Sequence, residues 1–259
     1  MKTTDCCSKI VGKLKALILL RGRVLQGAIV NNYDNELIAN YVSRKTQDAR
    51  LNQGSQNFSA INYRYFAPFA FLPMDRELKV LDFGGGAGHH FYSMVDTILH
   101  KIICWTVVET PAMVASATKL NTDDRLTFED SLLKISDVEY DLILASSSIQ
   151  YSPEPLKTLN ELINIKSKYF FITRMPVWEF PTKKLIQKSA LSSNGPGRQL
   201  YELNDGIVEY ELTILNRELF ESYFENRFET IFRSLETEGV HEIDGRIVHH
   251  YGYLFRRRD

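Results

Sequence analysis

The stretch KVLDFGGGAGHHFYSM, residues 79–94, decides how the chain is read. Its opening, KVLDF, is a short apolar run bounded by turn residues and predicts a buried strand. Four of the chain's 14 glycines then fall within five positions. Glycine accepts positive φ and lets another group come close to the backbone, so the crowding marks a tight turn that a ligand can approach. HHFYSMVDTILH follows as a helix. The first turn of a helix presents amide N–H groups without partners inside it, which suits a phosphate or a carboxylate.

Outward from this stretch the chain alternates strand and helix. KIICWTVVE (101–109), RLTFE (125–129), YDLILASS (140–147) and KYFFITRM (168–175) are apolar runs rich in β-branched and aromatic residues. PAMVASATKL, with Pro111 in its first turn, and EPLKTLNELINI have helical spacing between them. Such alternation predicts βαβ crossovers and a mostly parallel, doubly wound α/β sheet. Residues 176–215, with Pro176, Pro181 and NGPG, read as irregular. NRELFESYFENR predicts a helix capped by Asn216. FETIFRSLETE and GRIVHHYGYLFRRR then predict two strands joined by a turn near EIDG, an antiparallel pair at the sheet edge. The strands expected number seven.

Before the sheet lies a different kind of sequence, and the domain boundary falls near residue 75. Residues 1–75 read as an N-terminal helical region with a lid as one role, and 76–259 as the ligand-binding domain. Helices are predicted over 9–29 and over NELIANYVSRKTQDARL (35–51). The first is basic, with Lys2, Lys9, Lys13, Lys15, Arg21 and Arg23 against Asp5 in residues 1–30. It packs on the main domain or touches an anionic membrane surface. The aromatic run Phe58–Phe71, with Tyr63, Tyr65 and Phe66, packs on the first strand or walls a pocket.

Composition excludes several classes. A net charge of −1 gives no global field for nucleic acid. No 18 consecutive apolar residues occur, so no spanning helix is expected. Three cysteines, Cys6, Cys7 and Cys104, give neither zinc spacing nor a disulfide framework, which fits a reducing cytoplasm. No metal set is visible: Asp141 precedes the fourth strand rather than following it.

The glycine spacing narrows the ligand. The dinucleotide fingerprint G-x-G-x-x-G fails, because the third glycine would fall on His89. A P-loop fails because no Gly-Lys-Ser/Thr follows. What fits is D-x-G-x-G-x-G over Asp82, Gly84, Gly86 and Gly88, with Gly85 inside it. Glu109 ends the second strand, 21 residues after Gly88, where a carboxylate can accept from both hydroxyls of a ribose. Asp130 follows the third strand, where an acceptor can meet an adenine amino group, and Glu129 beside it competes for the role.

VLDFGGGAG, VVE and FED resemble the cofactor motifs of class I S-adenosylmethionine-dependent methyltransferases, and YDLILASSSIQYSPEPLKTLNEL resembles their segment through the fourth strand. The resemblance spans about residues 75–257 and includes the closing antiparallel hairpin. LDFGGG with the later FFITRMP is similar to a bacterial subgroup of methyltransferase-like proteins associated with surface-polysaccharide synthesis. The resemblance implies S-adenosyl-L-methionine as cofactor. Gly84, Gly86 and Gly88 would admit its methionine and ribose portions, Asp82 would order the loop, Glu109 would hold the ribose and Asp130 the adenine edge. Phe128 and Leu132 flank the ring or belong to the core.

The acceptor side is expected in the loops after strands four and five. Gln150, Arg174 and Trp178 are the substrate-binding candidates: an amide, a cation for a carboxylate or phosphate, and a ring to stack on a sugar. His89, His90 and Tyr151 are the catalytic candidates, and a helix N-terminus favours a neutral imidazole that could act as a base. His249 and His250 alternate on one strand and so face opposite ways. The implied acceptor is a small molecule or sugar. SSSIQYS lacks the acids of an aminopropyl transferase, and a non-catalytic cofactor-binding subunit is the remaining alternative.

Overall fold

A computed structural model describes residues 33–52, 64–73, 75–95, 103–196 and 206–259, without the side chains of 237–240. The basic segment 9–29 with its membrane-contact reading, Cys6 and Cys7, and residues 58–63 of the aromatic run lie outside the described residues.

Five strands form the parallel body: β1 (Leu78–Phe83), β2 (Ile103–Val108), β3 (Leu126–Glu129), β4 (Tyr140–Ser146) and β5 (Ser167–Trp178). Their spatial order is β3-β2-β1-β4-β5, with every adjacent pair parallel. The chain winds one way from β1 to β3 and then returns to the other side of β1, so the crevice beyond the ends of β1 and β4 is the switch point where ligands bind in such sheets.

The core explains why these runs are strands. Neighbouring residues point to opposite faces. Val80, Leu142, Leu144, Phe171 and Leu254 pack on one side of the sheet. Leu81, Ile143, Ala145, Phe170 and Phe255 pack on the other. Both faces are covered, which is why the strands are apolar throughout rather than alternating. Helix α1 (Glu36–Asn52) precedes the sheet. Within it come α2 (His89–Val95), α3 (Pro111–Leu120), α4 (Pro155–Asn164) and α5 (Arg217–Glu225). Thr110 caps α3 through the Met113 amide, with Pro111 at its start, and Asn216 caps α5 through the Leu219 amide. On α1, Ile38, Ala39 and Val42 pack against Met113 and Ala117 of α3. No helix among the described residues is long and apolar enough to cross a membrane.

The C-terminal hairpin joins β8 (Phe228–Ile243) to β9 (Arg246–Arg257), turning at Asp244 and Gly245, both with positive φ. β9 lies antiparallel to β5 from Tyr169 to Pro176.

Among the described residues the sheet holds nine strands, two beyond the seven expected. The described residues of 176–215 are largely regular, which corrects the reading of this region as irregular. β6 (Lys183–Ala190) and β7 (Ile207–Asn216) form a long antiparallel ribbon. β7 joins the sheet in parallel to the last two residues of β5, Val177 with Leu215 and Trp178 with Asn216. The alternation of β6 is concealed because its inward residues are largely polar: Lys183, Gln187 and Ser189 are partly covered while Ile186 faces out. β4 pairs with β5 as far as Thr173 and β7 only from Val177; between them the pairing with β9 shifts register between Ile172 and Met175, where Arg174 has φ of 57°.

Candidate functional site

The turn after β1 folds back on its own strand. The Gly84 amide donates to the Val108 carbonyl at 2.9 Å. A Cβ on Gly85 would lie 2.3 Å from Oδ2 of Asp82, so only glycine lets the loop wrap this buried carboxylate. Gly86 has φ of 59°, which aims its N–H at Oε1 of Glu109, 3.0 Å away. Oε2 of Glu109 accepts from the Thr110 amide at 2.9 Å. Burial pushes the Glu109 carboxyl above its ordinary value, against the two amides that favour its charge.

Two adjoining cavities open at this crevice. The first, about 740 Å³, is lined mainly by apolar surface with acids at its edge, among them Phe83, Glu109, Asp130 and Leu132. Asp130 is exposed and pairs with Lys134 at 2.8 Å. Ser148 Oγ, on the same wall, is buried without a partner. An apolar slot with carboxylates at two strand ends and an unmatched hydroxyl fits a nucleoside, whose base needs apolar cover and whose ribose and amino groups need acceptors.

The second cavity, about 510 Å³, is polar and rests on a charged network. Asp82 is fully buried. Its carboxylate accepts from Trp105 Nε1 at 3.2 Å and lies 2.9 Å from His90 Nδ1. Burial disfavours a charged His90, but Asp82, and after it Tyr65, outweigh burial and push the imidazole up to about 9. Burial, His90 and Arg174 together drive His89 down to about 3. The two imidazoles depart from the expectation of a neutral base in different ways: Asp82 favours the charged form of His90, while His89 is neutral but accepts protons poorly.

Arg174 reaches back across β4. Its Nε and Nη2 donate to Ser146 Oγ at 3.2 and 3.1 Å. Its left-handed backbone is held by Glu236 of β8, whose Oε2 accepts from the Arg174 amide at 2.7 Å and whose Oε1 accepts from the Thr173 hydroxyl. Arg64 lies 3.4 Å from the same carboxylate.

Of the expected site residues, His89, His90, Arg174, Gly85 and Gly86 line the polar cavity, Asp130 lines the apolar one, Gly84, Tyr151 and Glu109 line both, and Asp82 and Gly88 line neither. Two substrate-binding expectations are corrected by position. Gln150 is 1% exposed and spends its amide N–H groups on Ser147 Oγ and the Arg174 carbonyl, so it braces the wall from behind. Trp178 is buried among Leu212, Ile214 and Val248, with its indole N–H on the Pro181 carbonyl, and lines neither cavity. Phe128 packs beside Gly88 rather than facing the nucleoside slot.

Tyr33, Tyr65, Ser146, Gln187, Ser189 and Tyr210 also line the polar cavity. Tyr33 and Tyr151 stack at 6.2 Å and Tyr210 meets both edge-on. Neither motif nor spacing marked these residues; the aromatic density around Tyr65 was the one available signal. Among the described residues no group of three or more His, Cys, Asp or Glu is arranged to hold a metal ion.

No family model and no curated protein matches the chain. Solved structures do. The [4+2]-cyclase SpnF is similar with a TM-score of 0.53 at 12% identity, over 89% of this chain and 98% of that one. Human N-acetylserotonin methyltransferase in complex with SAM gives 0.49 at 16%, over 87% and 57%. YcgJ from Bacillus subtilis gives 0.49 at 10%, over 76% and 98%. At 12% identity, what the chain shares with SpnF is the fold.

Proposed function

We propose that this chain binds S-adenosyl-L-methionine and transfers its methyl group to a small-molecule acceptor. The observation that carries this reading is the junction of the two cavities. They share Tyr33, Gly84, Glu109, Ser147 and Tyr151, so a nucleoside in the apolar slot directs its other end into the polar chamber. Glu109 takes the ribose hydroxyls, Asp130 meets the adenine edge, and the glycine loop over Asp82 admits the amino-acid end. When bound, the cofactor supplies a methyl group on a sulfonium that is already activated, so the protein's task is alignment and proton removal.

For the acceptor, a sugar is the class we favour. Arg174, Gln187, Ser189 and Asn194 surround the polar chamber, which offers donors and acceptors in the density a polyol needs. A role in surface-polysaccharide synthesis rests on the sequence resemblance alone. We also assign α1 as part of the cover of the acceptor side, since it contributes Val42 and Thr46 to the chamber wall. A reducing cytoplasmic setting accords with a free Cys104.

Titration calorimetry with S-adenosylmethionine and its demethylated product tests the reading, followed by a turnover screen across nucleotide-sugars. Binding of neither compound removes the proposal. Binding without turnover on any acceptor favours the alternative, a non-catalytic cofactor-binding subunit.

A further inference from the structure

We infer that Tyr65 is the general base of the polar chamber, taking the proton from the acceptor atom that is methylated. The inference rests on the methyl-transfer reading above. Tyr65 lines the chamber, and its hydroxyl lies 3.2 Å from Ser146 Oγ. A serine hydroxyl has two lone pairs and one proton. Arg174 directs Nε–H and Nη2–H at Ser146 Oγ, which occupies both lone pairs. Ser146 must then donate its own proton to the Tyr65 oxygen. That makes the phenol oxygen an acceptor within the protein, prepared to carry negative charge, and leaves its proton free to depart.

The charges around it favour that departure. His90, whose charged form Asp82 favours from 2.9 Å, lies against the Tyr65 ring with centroids 4.4 Å apart. Arg174 faces the phenol from β5, and Arg64 stands one residue before it in the chain. The carboxylates nearby are committed elsewhere: Asp82 to His90 and Trp105, Glu236 to Thr173, Arg174 and Arg64, and Glu109 to two backbone amides. His89 beside them is neutral. Burial raises the Tyr65 value, but His90, Arg174, the Ser146 hydrogen bond and Arg64 together bring it below that of an ordinary tyrosine.

The step balances. The acceptor's O–H or N–H bond breaks, its proton goes to the Tyr65 oxygen, and its electron pair stays on the acceptor to form the bond to the methyl carbon. The phenolate's negative charge and the sulfonium's positive charge disappear together. The product side holds a neutral phenol, a methylated acceptor and a neutral thioether.

The test needs no acceptor. The ultraviolet phenolate band is followed against pH in the free protein, wild type against Tyr65→Phe, with Arg174→Gln as a second variant. The expected difference is one tyrosine ionising below the ordinary value of about 10, absent in Tyr65→Phe and moved upward in Arg174→Gln. A wild-type minus Tyr65→Phe difference with no early ionisation overturns the assignment. So does an early ionisation that Arg174→Gln leaves in place, because the cationic surroundings would then not be its cause. Calorimetry with the demethylated cofactor runs in parallel. Equal binding by wild type and Tyr65→Phe supports a base acting on the acceptor alone. Binding by neither defeats the methyl-transfer reading, and the base role with it, whatever the phenolate band shows.

Discussion

Single residues here do work that depends on their charge state. Glu109 is expected to accept two hydrogen bonds from a ribose. Glu109→Gln should weaken binding of the demethylated cofactor by about 10- to 100-fold in calorimetry, the effect of losing one charge-assisted hydrogen bond of roughly 1.5–3 kcal/mol. His90 gives a pH prediction. Its value rises from about 6.5 in the unfolded chain to about 9 in the fold. A raised value means that its stabilisation is complete below pH 6.5 and is lost as pH climbs through 9. Tyr65, with a lowered value, works in the opposite sense toward its unfolded value. Urea midpoints are therefore best compared in a Tyr65→Phe background, where they should fall as pH climbs above about 6.5, over a window ending lower than in wild type because the Tyr65 charge no longer helps to raise His90, and where adding His90→Gln should abolish the slope. A slope that survives the second substitution would assign the effect to another group. At Gly85 the constraint is contact rather than torsion. Gly85→Ala drives a methyl into the Asp82 carboxylate and should cost about 1–3 kcal/mol in denaturant unfolding, the usual range for an overfilled core.

At the scale of elements, one side chain joins two that are distant in sequence. Lys45 of α1 is buried and donates to the carbonyls of Ser192, Asn194 and Gly195 at 2.9, 2.9 and 3.2 Å. Lys45→Met should destabilise by about 2–3 kcal/mol and speed amide exchange in α1 and in residues 191–196, while β1 to β5 stay protected. Uniform loss of protection would show that α1 belongs to the main cooperative unit. The legibility of the elements follows from what they bury. β1, β2, β4 and β5 are covered on both faces, so composition announces them. The glycine turn is legible because its constraint is local. β6 is not, since its inner face meets a polar chamber instead of a core and carries Gln187 and Ser189 where a strand pattern requires apolar residues. Tyr65 and Glu236 act on residues 81 and 62 positions away through Ser146 and Arg174. No spacing rule reports contacts created only when β4, β5 and β8 come together. Trp178 shows the reverse error: it reads as a stacking platform and is core.

For the whole molecule, the sheet closes through its last strand. β9 is the final element of the chain, yet it pairs with β5 in the middle of the sheet. Phe255 stacks on Phe224 of α5 with centroids 3.9 Å apart and planes 2° from parallel. Phe224→Ala should cost about 3–5 kcal/mol and lower the urea midpoint, and so non-local a pairing should make folding slow for the chain's size. A variant within 1 kcal/mol of wild type would mean that the C-terminal hairpin packs independently. The change of partner along β5 has a mechanical consequence. The β6–β7 ribbon is rooted in the sheet by only two residue pairs, Val177 with Leu215 and Trp178 with Asn216. Its far half carries Gln187, Ser189 and Tyr210 over the chamber. It is thus a beam held at both ends: at the far end Val208, Tyr210 and Leu191 pack with Ile38 and Val42 of α1, and just past that end Lys45 grips the chain at 192–195. Beam and latch together form the roof of the chamber, so a lysine that lines no part of it helps to fix where that roof lies.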